Sequence, residues 1–262
     1  CIFCTAKGSG DFAGSPALSI SEQLARGKEA VRSKRPVRSF IAYFQAFTNT
    51  YAPVDYLESI FMEAIKDPEV KILSIATRPD CLGSDVLELL DRLNQIKPVW
   101  VELGLQTIHP ETAEYIRRGY PLSVFDSAVR SLRSISISVI VHTILYLPGE
   151  TEEMMLSTID YLNRSDIQGI KLQLLHVLEG TDLAEEYARA PFHTPDLEEY
   201  ITMVGKCISR LRPDIVIHRL TGDGPKDLLV APLWTGAKRT VLNRLQQYLK
   251  QEDIEQGQDY SG

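Results

Sequence analysis

The chain begins with two thiols three positions apart, Cys1-Ile2-Phe3-Cys4. That spacing serves three chemistries: thiol–disulfide exchange when it opens a helix after a strand, zinc binding when a second Cys or His pair completes the set, and iron–sulfur binding when the pair belongs to a set of three or four cysteines. The other cysteines, Cys81 and Cys207, stand alone in sequence, and no histidine lies at zinc-finger spacing from either. Both read as buried or incidental thiols. A second group of chemically capable residues falls where apolar runs stop: Gln45, Thr48 and Asn49; Thr77, Arg78 and Asp80; Glu102, Gln106 and Thr107; His142 and Glu150; Gln173 and His176; His218, Arg219 and Asp223.

Short apolar runs alternate with amphipathic stretches, the pattern of βα units and a parallel sheet. Strands are expected over 38–49, 70–77, 99–107, 138–147, 170–178 and 214–220. Helices are expected over 19–33, 54–66, 84–96, 109–134 in two pieces around Pro121, and 151–165. Ser19 with Glu22 three positions on has the form of a capping box. A (β/α) barrel or an open doubly wound sheet accounts for this order, and both put ligands at the carboxyl ends of the strands, where the polar residues stand. Within 99–107, alternation sets Glu102, Gly104 and Gln106 on one face and Val101, Leu103 and Leu105 on the other. A buried carboxylate there needs a partner, and ribose hydroxyls are suitable ones.

The 262 residues carry a net charge of −7 with both signs interspersed, a total that does not point to a strongly cationic nucleic-acid surface and leaves room for a local basic patch. Four cysteines do not make the framework of a small secreted domain and fit a reducing, cytoplasmic setting. No apolar run reaches membrane-span length, and no signal-peptide pattern opens the chain. The start on Cys1 leads us to expect further sequence upstream. Domains are expected at 1–220, a catalytic core, and 221–262, a C-terminal extension whose polar tail frays.

CIFC with KGSGDFAG, ATRPDC (76–81), VELGLQT with ETAEYIRRGY (101–120), HTILYLPGE (142–150), KLQLLHVLEGT (171–181) and HRLTGDGPKDLLVAPLW (218–234) together resemble the radical S-adenosylmethionine (SAM) superfamily. They are most similar to its bacterial branch of iron–sulfur oxidoreductases of unassigned substrate, and the ATRPD and LGLQT phrases are similar to those of the Elongator catalytic subunit. The resemblance implies a partial (β/α)6-type barrel, with a first strand and a third cluster cysteine preceding Cys1. It implies a [4Fe–4S] cluster held in part by Cys1 and Cys4, with S-adenosylmethionine on the open iron, cleaved reductively to a 5′-deoxyadenosyl radical.

Carried over residue by residue, Phe3 packs near the adenine or covers the cluster, or else is an ordinary core aromatic. Gln45 and Asn49 stand where the superfamily has a glycine-rich phrase that takes the methionine amino group. Arg78 meets a carboxylate of SAM or substrate, or braces the rim through Asp80 or Glu102. Glu102 and Gln106 face the cofactor, and His142 and His176 lie within reach of adenine or substrate. Tyr146 replaces the glycine of the family's GLPGE phrase. Glu150 is expected to cap the next helix or else to contact adenosine indirectly, and at least one of Arg117 and Arg118 to oppose a helix dipole. Expected partners are S-adenosylmethionine, an unidentified substrate with tRNA suggested by the Elongator likeness, and an electron donor such as flavodoxin or ferredoxin. Two other classes fit the residues: a non-catalytic SAM-binding or partner-binding relative, and a metal-dependent barrel hydrolase using His142, His176 and His218.

Overall fold

The computed structural model describes residues 1–6, 8, 10, 13–222 and 224–261. Asp223 and part of the KGSGDFAG phrase lie outside them. In chain order the elements are α1 (Ile20–Arg32), β1 (Phe40–Phe44), α2 (Val54–Lys66), β2 (Val70–Thr77), α3 (Ser84–Asn94), β3 (Val99–Gln106), α4 (Pro110–Tyr115), α5 (Leu122–Ser134) and β4 (Ser138–Leu145). They continue as α6 (Glu152–Asn163), β5 (Gly169–Leu174), β6 (Val177–Leu178), α7 (Asp182–Arg189), α8 (Leu197–Arg210), β7 (Val216–Arg219), β8 (Leu229–Ala231) and α9 (Lys238–Gln251). Six strands form one sheet in the order β1-β2-β3-β4-β5-β7, and β1–β2, β2–β3, β4–β5 and β5–β7 all pair parallel. The repeated βα order and the α/β class match the expectation.

The chain divides into two compact units, one of residues 7–104 and 124–139, the other of residues 1–6, 105–123 and 140–262. In the first, Leu73 and Ile75 of β2 and Val101 and Leu103 of β3 are fully buried, as are Phe61 of α2 and Leu89 and Leu90 of α3. Alternation turns Ser74, Glu102 and Gly104 to the other face of these strands. The expected capping box forms on α1, with Ser19 and Glu22 each accepting from the other's backbone.

In the second unit, Val141 and Leu145 of β4 and Ile170, Leu172 and Leu174 of β5 are buried with Met155 and Ile159 of α6 and Ile201 and Val204 of α8. On the opposite face His142 stands beside Lys171, and Ile144 beside Gln173. The apolar run expected as one strand over 170–178 breaks at Leu175–His176, and its second half pairs antiparallel with β8 of the C-terminal extension. Gly222 lets the His176 ring pack closely at the break, since a Cβ there would stand 2.9 Å from it. The first expected strand is also shorter than its apolar run: residues 45–49 turn away after β1. The tail does not fray. Gln256 Nε2 donates to Arg212 O at 2.9 Å and Ile215 O at 2.7 Å, and Asp259 N donates to Ser209 O at 2.8 Å.

Candidate functional site

The Cys1–Cys4 loop is fixed by the residue between its thiols. Ile2 is 2% exposed, its N–H donates to Ile116 O at 3.3 Å, and its carbonyl accepts from Leu183 N at 2.9 Å. Its side chain joins an apolar cluster with Ile116, Leu147, Leu175, Val177 and Leu183, against which Phe3 also packs. Cys4 N donates to Cys1 O at 3.4 Å, closing a tight turn on which both cysteines are exposed. Burying the intervening isoleucine therefore turns the thiols outward. Burial raises the Cys4 thiol as well, but Cys207 is sealed inside α8, where burial pushes its pKa up to about 12. It suits packing, not ligation.

In the first unit, the strand ends carry four of the expected residues. Glu102 is 4% exposed and accepts from Ser74 Oγ at 2.7 Å. Asn49 Nδ2 donates to Phe44 O at 3.1 Å and Ala76 O at 2.8 Å, so it ties the turn after β1, which bears the half-buried Gln45, to β2. Thr50 and Thr77 hydroxyls meet at 2.6 Å below the same turn. Arg78 is engaged by Asp80, Nη2 to Oδ2 at 2.7 Å and Nε to Oδ1 at 2.9 Å, and the guanidinium holds the Asp80 carboxyl below the usual range. This is the rim-bracing arrangement.

The second unit carries the others. His142 Nδ1 lies 3.3 Å from Gln173 Nε2, and Lys171 beside it in the register is buried. His176 is covered by the Gly222 and Gly224 backbone, and His218 packs on Gly169. Gln106, the last residue of β3, has φ +66° and a buried Oε1 that accepts no hydrogen bond. An acceptor carried out of water without a donor is costly, so this atom fits a ligand bearing N–H or O–H.

At Glu150 the structure departs from the expectation, and at the end of α4 it separates the two arginines. Thr151, not Glu150, caps α6, its hydroxyl accepting from Met154 N. Glu150 instead accepts from Thr107 Oγ1 at 2.5 Å, and burial raises its carboxyl pKa. The Arg118 side chain does not face the α4 dipole. Arg117 takes φ +55°, with Arg117 N donating to Glu114 O and Arg118 N to Ala113 O, both at 2.9 Å. That Schellman closure turns Arg118 inward, to 4% exposure, while Arg117 pairs with Asp182 outside.

Among the described residues no group of three or more His, Cys, Asp or Glu is arranged to hold a metal ion. This leaves Cys1 and Cys4 as a two-thiolate contribution, whose soft donors and exposure fit an iron–sulfur cluster. Residues that sequence reasoning passed over are Ser74, Lys171 and the inward course of Arg118. Lys171 and Ser74 were within reach of the parity argument that found Glu102.

The chain belongs to the Radical SAM superfamily, whose family model matches residues 1–162, and the Radical SAM C-terminal domain model matches residues 167–251. It is 39% identical over 257 residues to the protein YtqA of Bacillus subtilis (strain 168), spanning 98% of this chain and 80% of that one. It is 34% identical to the protein YhcC of Escherichia coli (strain K12), spanning 97% and 82%. A tRNA uridine(34) acetyltransferase of Methanocaldococcus jannaschii is 27% identical over 66% of this chain and 31% of its own length. Among solved structures, the Methanocaldococcus infernus Elp3 with an N-terminal deletion superposes with a TM-score of 0.76 at 19% identity, covering 91% of this chain and 60% of that one. That match shows the fold, the partial (β/α)6-type arrangement of the superfamily. Among the described residues no helix is long and apolar enough to cross a membrane.

Proposed function

We propose that this chain is a radical SAM enzyme in which Cys1 and Cys4 are thiolate ligands of a [4Fe–4S] cluster and S-adenosylmethionine is the co-substrate. The observation that carries the reading is the pair of outward thiols on a loop pinned through Ile2, in a chain of this superfamily. When bound, the cluster supplies the electron that cleaves S-adenosylmethionine to methionine and a 5′-deoxyadenosyl radical able to take hydrogen from a substrate.

The chain's own residues divide the remaining work. Ile2 fixes the loop and Phe3 gives it an apolar flank that excludes water. Glu102, oriented by Ser74, accepts hydrogen bonds from the ribose hydroxyls, and Gln106 Oε1 accepts from a further N–H or O–H of the ligand. Asn49 shapes the turn that presents Gln45 to the methionine end. Arg78, held by Asp80, offers positive charge to a carboxylate at the rim. His142 and His176 face adenine or substrate. A flavodoxin or ferredoxin is the electron donor, and the setting is cytoplasmic, where the four unpaired cysteines stay reduced. tRNA is the substrate to test first, because a relative bears that name.

The test is anaerobic reconstitution of the full-length protein with iron and sulfide, followed by S-adenosylmethionine and a reductant. 5′-Deoxyadenosine that forms with the wild type and not with Cys4→Ala supports the reading. A protein that takes up no cluster returns the assignment to a non-catalytic relative. Binding of tRNA that does not weaken as salt rises would remove tRNA from consideration.

A further inference from the structure

The backbone at Gln106 is a γ-turn. Thr107 N donates to Leu105 O at 2.8 Å around a central residue at φ +66°, the strained, positive-φ form that a glutamine adopts only when its surroundings impose it. The imposing group is Arg118. Arg118 Nη1 donates to Leu105 O at 3.1 Å and to Thr107 O at 2.6 Å, the carbonyls on either side of Gln106. Its Nε donates to Tyr120 O at 3.1 Å, and its guanidinium lies 4.9 Å from the centre of the Tyr120 ring. Thr107 is tied a second time, through its hydroxyl, to Glu150. Nη1 bridges the two carbonyls while Nε holds a third, Tyr120 O; a lysine ammonium, a single nitrogen one bond nearer the chain, cannot supply all three bonds in place.

We propose that Arg118 is a positioning residue: it holds the γ-turn at Gln106 and thereby presents the Gln106 carboxamide oxygen to an N–H or O–H of bound S-adenosylmethionine. The proposal rests on the functional reading above and extends it to a residue that does not itself touch the ligand. Without the clamp the turn relaxes to negative φ. In an extended strand end the side chain would point elsewhere, and the acceptor would leave its place.

The experiment is a double-mutant cycle on the reconstituted protein with Arg118→Lys, Gln106→Ala and the pair, measuring S-adenosylmethionine affinity by calorimetry and the hydrogen exchange of the Thr107 amide. Arg118→Lys is expected to weaken binding about tenfold and to speed Thr107 exchange. Gln106→Ala is expected to weaken binding comparably while Thr107 exchange stays slow. The pair should bind no worse than Gln106→Ala alone. Losses that add overturn the proposal, because Arg118 would then act on the ligand independently. Should Arg118→Lys not fold, wild-type NMR decides: S-adenosylmethionine must shift the Gln106 carboxamide more than the Arg118 guanidinium, and the reverse order rejects the positioning role. If the cluster-loaded wild type binds no S-adenosylmethionine, the functional reading falls with the ligand half of the proposal, and Thr107 exchange, which needs no ligand, still accepts or rejects the clamp.

Discussion

Ser74 Oγ stands 2.7 Å from Glu102 Oε1, joining two buried side chains of neighbouring strands on the face opposite Ile75 and Val101. One oxygen of the carboxylate is thereby oriented by the protein. Ser74→Ala leaves a buried acceptor short of a donor and is expected to cost about 1–3 kcal/mol in urea unfolding. Glu102→Gln keeps the shape and removes the charge, so the fold should persist while S-adenosylmethionine affinity drops about tenfold, roughly the worth of one hydrogen bond to a charged group. A calorimetric affinity unchanged in Glu102→Gln would show that the carboxylate is structural.

Glu150 makes a pH prediction. Burial raises its pKa, while the Thr107 hydroxyl and His109 pull the other way and lose. A carboxyl whose folded pKa lies above its ordinary 4.5 binds its proton more tightly in the native state. Its favourable contribution is therefore complete below the ordinary value and disappears as pH rises through the folded one. Glu150→Gln, neutral at every pH, should flatten that fall in stability and match or exceed the wild type at neutral pH. Unfolding titrations from about pH 4 to 8 read the slope directly. A variant less stable than the wild type at all of these pH values would contradict the sign.

The strands were legible because each apolar run is bounded by an amphipathic helix, and Glu102 was legible because a carboxylate interrupts an alternating pattern. Lys171 obeys the same parity as Gln173 and was equally readable. Arg118 was not. Its position at a helix end is the same whether its side chain meets solvent or turns inward, and only the Schellman closure at Arg117, a tertiary outcome, decides between them. The run KLQLLHVL hid a strand break because both halves are buried, so hydrophobicity does not change where the partner strand does. Glu150 was misread for a nearer reason: Thr151, the next residue, is the better helix cap.

The pinning of the cysteine loop through Ile2 separates fold from cluster retention. Ile2→Val removes one methylene from a site 2% exposed and is expected to cost about 0.5–1.5 kcal/mol, while Ile2→Ala costs about 2–5 kcal/mol. The backbone bonds to Ile116 and Leu183 depend on that side chain staying buried. Reconstituted Ile2→Ala should therefore lose its visible iron–sulfur absorbance faster than the wild type under chelator challenge, with Ile2→Val between them. Equal retention in all three would mean that the loop is held by something other than the Ile2 anchor.

Tyr146 occupies φ +61°, where the superfamily phrase has glycine, and it is kept there by two bonds, its N–H to Met155 Sδ at 3.1 Å and its hydroxyl to Glu199 O at 3.0 Å. Truncation removes the ring in either of two ways that differ in backbone freedom. Tyr146→Ala loses the ring and keeps the strain, whereas Tyr146→Gly loses the ring and adopts positive φ without steric penalty. Glycine is normally the less stable choice by about 0.5–1 kcal/mol, because it costs more conformational entropy. Here the order should invert, with Tyr146→Gly more stable than Tyr146→Ala by about 1 kcal/mol, the scale of the left-handed penalty. Urea unfolding of the two variants side by side gives the difference without reference to the lost ring, which is common to both. An alanine variant as stable as the glycine one would mean that the turn relaxes once the ring is gone, and that the hydroxyl bond to Glu199, not the chain before Pro148, sets the left-handed backbone.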